Sequence, residues 1–535
     1  MGLPPPFPKI KNARTTSNPA FVLFGSRFYR DQTVVELLAE FLSIVFATKW
    51  IGSNGPINTP LPQVEDLRQW ANTPEQRLRY DLEIRLNLKL LALLGASPLS
   101  LRHQVHVDHY EYLVQRLMDR VRTQRKKPEE VKEWVEDFLM GFQGAGSDRT
   151  WCAQTFYPIS RSFLSQEAIW KRARSRDKRL YWSEISSDPA SFFGIKQHLF
   201  LARGGELIYL QLCNLFSKDD IVVDALAKKL GYNEQQFKVD SLYKRLELGF
   251  QQLETTQPIA LDALAEFIEN LDPKPRWKSQ DSALYCEWCP EESWPEAYLL
   301  AVELSRILSA NLDPVERLEL VQFSCGLHVL RSMCAQSVRY ANLPDKGTLC
   351  QRVLGYAWLF SPMQRCSRQQ RLAACHNMST LFRAIQQALR NEYISRHVDS
   401  VKNERRISES RLDLLYGHKL FSLLGKRLGI IYPWKGAEPR FVLTDRLVRF
   451  LVLSIVEPGA TYTYDEFKRK IYLHYGIAVE GEELMDAINW TGLPVNSSTH
   501  PDGSSWFAQM LRAGGFLIEL SDGCSVVRNP FSKQF

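Results

Sequence analysis

The 535-residue sequence contains no apolar run long enough to cross a membrane. The longest run, Leu447 to Val456, is interrupted by Arg449, whereas a bilayer-spanning helix needs about 20 apolar residues. The first residues, with Pro4, Pro5 and Pro6, lack the apolar region of a secretory leader. The 10 cysteines are scattered without a regular spacing, as is usual in the reducing cytoplasm. The sequence therefore predicts a cytoplasmic protein with no membrane partner.

Motifs for nucleotide binding and catalysis are also missing. No Gly-x-x-x-x-Gly-Lys-Ser/Thr run occurs, and Gly144-Ala145-Gly146-Ser147 lacks the lysine that would contact phosphates. Neither the Gly-x-Ser-x-Gly motif of hydrolases nor the His-Glu-x-x-His motif of metalloproteases is present. We therefore expect no catalytic residues, no cofactor and no small-molecule substrate.

Charge and composition are those of an ordinary globular protein. The chain has 67 Lys and Arg against 60 Asp and Glu, a net charge of +7, which by itself does not indicate nucleic acid. Hydrophobic residues make up 45% of the chain, enough for a sizeable core. Because domains usually contain about 100–200 residues, several folded units are expected.

Periodicity predicts a mainly α-helical, multidomain body that ends in an α+β module. Glycine- and proline-rich breaks fall at Gly141–Ser147, Asp272–Pro275 and Pro433–Pro439. They predict an N-terminal arm, three helical domains and a C-terminal module, at residues 1–30, 31–145, 146–275, 276–432 and 440–535. No repeat of fixed period is present, so a solenoid is not expected.

Two helix starts are predicted near the N-terminus. Thr33 and Glu36 have capping-box spacing, and an apolar stripe follows them. Thr73-Pro74 predicts the first turn of another helix, which would end at Gly95.

The last fifth of the chain has the clearest succession of elements. The Asp-Gly pair at 522–523 stands between two apolar runs and predicts a β-hairpin. In order, the predicted elements are a helix capped by Thr444 or Asp445, a short strand at 461–463, a helix from Thr463 to Gly476, helices at Glu482–Ile488 and Trp506–Ala513, and strands at 516–520 and 524–527.

This order of elements resembles a winged-helix domain, although the segment between Gly476 and Trp506 is longer than a minimal domain needs. In winged helices that bind DNA, a helix enters the major groove and the ribbon follows the backbone. The resemblance implies that DNA contacts come from five cations of the module: Lys468, Arg469, Lys470, Arg512 and Arg528. The alternative is that these cations form a solvated surface and that the module docks another protein.

The densest group of cations is the basic cluster at 171–179. It places Lys171, Arg172, Arg174, Arg176, Lys178 and Arg179 within nine residues, flanked by Trp170, Tyr181 and Trp182. Cations at this density neutralise phosphates and release counterions, and the aromatic side chains can stack on bases. The alternative is an exposed helix end whose aromatic residues anchor the core.

Metal sites are predicted only weakly. Cys286 and Cys289 form a single Cys-x-x-Cys, whereas structural zinc usually has four ligands. His103, His106 and His109 are three residues apart, so on a helix they spread around the circumference and face the surface near its start. We expect no metal at either group.

The whole chain, a large helical body that ends in a winged helix, resembles accessory DNA-binding subunits of prokaryotic genome-defence or DNA-processing systems. The resemblance implies a non-catalytic subunit that binds DNA, with double-stranded DNA favoured, in a multiprotein complex such as an anti-phage system. Two alternatives stay open: a protein scaffold whose winged helix docks a partner subunit, and a metal-dependent nuclease or hydrolase.

Overall fold

A computed structural model of the chain gives its fold. It describes residues 2–10, 18–25, 33–94, 104–122, 127–140, 164, 169–170, 181–188, 192–194, 204–255, 259–272, 284–345, 347–349, 353–364, 366–400, 417–493, 505–520 and 524–534. The basic cluster at 171–179, His103, and the predicted break at 141–147 lie outside these residues.

The described residues are mainly helical, which confirms the predicted fold class at that level. The helices are α1 Pro19–Phe24, α2 Val34–Phe46, α3 Val64–Asn72, α4 Leu86–Leu94, α5 Gln104–Arg120, α6 Pro128–Met140, α7 Trp182–Ile185, α8 Gly204–Phe216, α9 Asp220–Lys229, α10 Val239–Thr255, α11 Ile259–Glu269, α12 Trp294–Ser309, α13 Pro314–Tyr340, α14 Arg368–Leu389, α15 Glu392–Ser400, α16 His418–Arg427, α17 Asp445–Ile455, α18 Tyr464–Tyr475, α19 Gly481–Thr491 and α20 Trp506–Ala513. No helix in the described ranges is both long and apolar enough to cross a membrane.

Short strands lie between these helices. They are β1 Pro6–Phe7, β2 Thr48–Ile51, β3 Leu78–Asp81, β4 Ile169–Trp170, β5 Phe193–Gly194, β6 Leu284–Tyr285, β7 Cys289–Pro290, β8 Trp358–Ser361, β9 Ile431–Tyr432, β10 Arg440–Val442, β11 Thr461–Thr463, β12 Ile477–Ala478, β13 Leu517–Glu519 and β14 Ser525–Arg528. Three sheets have three or more strands, in the orders β2–β3–β6, β12–β8–β10–β9 and β11–β14–β13.

The centre of the body is a group of packed helices, α2, α8, α10, α12 and α13. Helix α8 crosses α2 at Gly205, where a Cβ would lie 2.4 Å from the backbone nitrogen of Phe41. The Gly205 N–H also donates a 2.9 Å hydrogen bond to the buried Glu40 carboxylate. A larger residue at Gly205 would therefore push apart the two helices on which the core is built.

The hydrophobic core continues from this centre into the C-terminal region. One connected set of buried apolar side chains extends from Phe7 to Val527. The four-stranded sheet draws β8 and β9 from before the predicted break at 433–439, and β10 and β12 from after it. The predicted domain limits stay predictions.

Predictions from local sequence signals succeeded at several elements. The Thr33–Glu36 capping box begins α2, with both reciprocal hydrogen bonds formed. Thr444 caps α17, and α20 has the predicted bounds. The predicted C-terminal hairpin is confirmed, because β13 pairs antiparallel with β14.

The prediction of one helix from Thr73 to Gly95 is wrong. Glu75 has a positive φ of 62°, and residues 78–81 form β3 before α4 begins at Leu86. Leu78 and Tyr80 alternate with more exposed neighbours along β3, which pairs with β2 on one side and β6 on the other. Sheet pairing with remote segments therefore overrides the local helix-start signal.

Candidate nucleic-acid interface

The structure describes residues on both sides of the basic cluster. Before it, β4 pairs antiparallel with β5 through Ile169–Gly194 and Trp170–Phe193. After it, the Trp182 side chain is buried, stacks on His109 at 3.5 Å between ring centroids and donates from Nε1 to Asp272 at 2.9 Å. Trp182 therefore anchors the core, and of the two aromatic residues that follow the cluster only Tyr181 is exposed.

Of the five module cations, Lys468 and Lys470 are engaged within the protein. Lys468 Nζ lies 2.8 Å from Asp465 and 3.6 Å from Glu480, and the lysine side chain is only 12% exposed. Burial lowers the pKa of Lys468, but Asp465 and Glu480 raise it more, so the net shift is upward. These contacts engage the Lys468 ammonium within the protein and leave little of its side chain exposed.

Lys470 makes mostly aromatic contacts. Its Nζ lies 4.7 Å from the ring centre of Tyr462 and 5.7 Å from that of Tyr232. Its distance to the Glu466 carboxylate is 3.9 Å, which is longer than a good hydrogen bond. Burial lowers the pKa of Lys470. The Tyr232 contact makes Lys470 part of the junction between α18 and the helical body.

The remaining cations of the module differ from one another. Arg512 of helix α20 forms an ion pair with Glu519 of strand β13, so these two side-chain charges neutralise each other. Arg469 and Arg528 are exposed, on α18 and on β14. The ribbon also exposes the apolar side chains of Ile518 and Leu520. Three of the five cations are therefore exposed arginines, and one of these, Arg512, is paired with Glu519.

The structure adds a buried polar network that the sequence did not indicate. His474 of α18 is fully buried, with Nδ1 2.6 Å from the Tyr232 hydroxyl and Nε2 2.9 Å from Glu303 of α12. Glu303 also accepts from Arg331 of α13 at 2.5 Å. Burial raises the pKa of Glu303, but Arg331 and His474 lower it more, so this carboxyl stays ionised. Burial lowers the pKa of His474 to about 4. The ring is therefore neutral, with Tyr232 donating to Nδ1 and Nε2 donating to Glu303.

A second buried ionic group lies at the same junction. Arg306 of α12 donates from Nε to Glu457 at 3.1 Å and from Nη1 to the Ser454 carbonyl at 2.8 Å. Arg245 of α10 reaches the other oxygen of Glu457 at 3.3 Å. Because breaking a buried pair leaves an uncompensated charge, both groups fix the C-terminal region on α10, α12 and α13.

The weak metal candidates are core residues. Cys286 and Cys289 are buried, and burial raises the pKa of the Cys289 thiol. His106 and His109 are buried too, which corrects the expectation of a surface position, and His109 Nε2 lies 3.1 Å from Asn87. Nowhere in the described ranges do three or more His, Cys, Asp or Glu side chains gather as a metal site would require.

Comparisons of the chain with protein-family models, with curated proteins and with solved structures found no match.

Proposed function

We propose that this chain is a non-catalytic DNA-binding subunit of a multiprotein complex, such as a prokaryotic anti-phage defence system, and that the basic cluster is its main contact with double-stranded DNA. The observation that carries the proposal is that the described residues next to the cluster are structured on both sides, with Ile169–Trp170 paired to β5 and Trp182 buried in the core. The six cations lie between these two points in the sequence.

Electrostatics makes this segment suited to phosphates. Each phosphate that a lysine or arginine neutralises releases counterions, which gives affinity without sequence preference. Phosphate contacts position a protein on the duplex, and base contacts specify sequence. The cluster supplies the first kind of contact, so we expect little sequence specificity.

The C-terminal region, in this proposal, is a winged-helix module. Support comes from the element order α17–β11–α18–α19–α20–β13–β14 and from the antiparallel sheet, in which β14 lies between β11 and β13. Arg469 and Arg528 are the module's candidates for additional phosphate contacts. The buried contacts of His474 with Glu303 and of Glu457 with Arg306 fix the module on the body. The module therefore orients the duplex relative to the cluster.

A salt titration of binding to a labelled random-sequence duplex of about 30 base pairs tests the proposal, because the slope of log affinity on log salt is about −0.9 per phosphate contact. The variant replaces all six cations of the cluster with Gln, and near-UV circular dichroism checks its fold. We expect a slope of several units for the intact chain and loss of most of it in the variant. No binding at low salt by the intact chain would refute the proposal.

A second function, protein docking by the module, is favoured by a different observation. Lys468, Lys470 and Arg512 have partners inside the protein, and the ribbon exposes the apolar side chains of Ile518 and Leu520 as well as Arg528. Replacing the two apolar residues with Ser would then weaken assembly with partner subunits and leave duplex affinity unchanged. Co-purification of the complex from the native host, compared between intact chain and variant, measures this.

A further inference from the structure

Helix α14 lies in the longest part of the sequence without acidic residues. Residues 346–391 contain seven Lys and Arg and no Asp or Glu. At the chain's average of 60 acidic residues in 535, a segment of this length would contain about five. The segment is therefore strongly positive, although the whole chain is nearly balanced.

The arginines of α14 share one exposed face of the helix. Arg368, Arg371 and Arg383 are exposed, as is Arg390 directly after the helix. At 100° per residue the four positions fall within about 120° of the circumference, and 22 residues span about 33 Å. Leu372 and Ser379 lie between them on the same face. We call the four arginines the basic face.

Three of these arginines have no compensating partner. The side chains of Arg368, Arg371 and Arg383 make no ion pair or hydrogen bond with the residues that the structure describes, in contrast to Lys468 and Arg512 of the module. Their charge is directed to solvent, where a polyanion can approach it.

Helix stability does not account for two of the charges. Arg368 and Arg371 stand in or directly after the first turn of α14, where the macrodipole disfavours cations and favours anions. The helix has no acidic residue in that turn, and Ser367 and Gln370 already form its capping box. The positive end of the dipole and two arginines thus attract an anion together.

A second basic element, with aromatic residues, flanks this face. Phe382 of α14 contacts His418 and Phe421 of α16 at 5.4 and 6.3 Å between ring centroids. Helix α16 has no acidic residue, and its Lys426 donates to the Trp434 carbonyl at 3.0 Å. The Trp434 side chain is 55% exposed. The Glu438 carbonyl accepts from Cys375 of α14, which places an acidic residue beside this edge.

We propose that the basic face of α14 binds the sugar-phosphate backbone of duplex DNA, as a second contact surface besides the basic cluster. The inference rests on the proposed function, which it extends with named residues. The face spans about 33 Å, close to one turn of B-DNA at 34–36 Å. Arg368 and Arg371 lie near one end of that length, and Arg383 and Arg390 lie toward the other, so they can contact phosphates at separate points along the duplex.

The test compares three triple variants in the duplex salt titration with the full chain. Arg368, Arg371 and Arg383 are replaced with Gln in the first and with Lys in the second. The control replaces the exposed Lys228, Lys229 and Lys244 with Gln, the same loss of three charges from α9 and α10. Since none of the described residues forms an ion pair or hydrogen bond with the three arginine side chains, all variants should fold, which thermal unfolding checks.

We expect the Gln variant to lose about 2–3 units of salt slope, at about 0.9 per contact, and the Lys variant and the control to keep the slope. If the intact chain binds and the Gln variant equals the control, the basic face is not a contact and the proposed function still stands. If the intact chain does not bind, both fall. Binding of the intact chain to vesicles of anionic lipid that is lost in the Gln variant, with duplex affinity unchanged, would overturn the assignment to DNA.

Discussion

His474 donates from Nε2 to Glu303 across a fully buried junction, at 2.9 Å. The two residues come from α18 and α12, and Arg331 of α13 donates to the same carboxylate oxygen, Oε1. This oxygen is compensated by a cation and a neutral donor, whereas Oε2 is buried without a hydrogen-bond partner among the described residues. The contact explains how the C-terminal region is fixed on the helical body, which the proposed function requires.

Replacement of Glu303 with Gln should destabilise the protein strongly. The change leaves the Arg331 guanidinium buried without an anion, which costs about 3–5 kcal/mol. The matched control is Glu392→Gln in the exposed pair of Glu392 and Arg396, where we expect a change within about 0.5 kcal/mol. Urea unfolding measures both, and equal losses in the two variants would show that Glu303 has no special role.

Stability should fall as the solution is acidified below about pH 6.5, because buried His474 resists protonation. Its folded pKa is lowered to about 4, so between pH 4 and 6.5 the unfolded chain binds the proton and the folded protein does not. The stabilisation is complete above the unfolded pKa and is lost as pH falls toward the folded value, by up to about 3 kcal/mol. Urea unfolding from pH 7 to 4.5 measures the slope.

His474→Gln provides the comparison, because Gln retains a donor and an acceptor without titrating in this range. We expect a shallower slope in the variant than in the intact chain. Some dependence of stability on pH should remain, because burial also lowers the pKa of His328, next to Arg331. Identical pH profiles would contradict the assignment of the neutral ring.

Helix positions followed from sequence where the signal was local. The predicted bounds of α20 are confirmed, and the structure shows Ser505 capping the helix and Phe507 and Leu511 buried one turn apart. Strand β3 was missed because it is stabilised by pairing with β6, whose residues 284–285 are far away in the sequence. His474 and Glu303 are 171 residues apart, and no sequence pattern connects them.

The residues of the candidate site, too, could be predicted from the sequence only in part. Local charge density identified the basic cluster and the module cations, but only the fold distinguishes half-buried Lys468 from exposed Arg469. The basic face of α14 had a sequence signal, the absence of Asp and Glu from 346–391, which is noticed only when missing acids are counted as well as present cations. That the arginines share one face of α14 became evident only from the structure, which shows the exposed side of the helix.

Neighbouring cations on α18 should behave differently when each is replaced with Gln. Lys468 is held by Asp465 and by buried Glu480, so Lys468→Gln should lower stability by about 1–3 kcal/mol and leave duplex affinity unchanged. Arg469→Gln should leave stability unchanged and, under the proposed function, reduce the salt slope by about 1, because it would remove an exposed phosphate contact. A salt slope unaffected by Arg469→Gln would favour protein docking by the module.

Thiol reactivity should separate the buried cysteines from the exposed one. Burial raises the pKa of Cys213 to about 12 and that of Cys289 further, so neither thiol is ionised at neutral pH, and a thiol is a weak nucleophile. We expect iodoacetamide to label Cys524 in the native protein and to label Cys213, Cys286 and Cys289 only after unfolding, as read by peptide mass spectrometry. Native labelling of Cys286 after treatment with a chelator, but not before, would instead identify it as a metal ligand.

Trp182 allows the two interpretations of the aromatic residues beside the basic cluster to be distinguished. As a core anchor that stacks on His109 and donates to Asp272, it should cost about 3–5 kcal/mol when replaced with Ala. Tyr181, 48% exposed, is the adjacent control, and Tyr181→Ala should change stability by no more than about 0.5 kcal/mol. Thermal and urea unfolding measure both changes. If Trp182→Ala instead kept full stability and lowered affinity for single-stranded DNA, the ring would be a stacking platform for bases and the anchor of the cluster would have to be sought elsewhere.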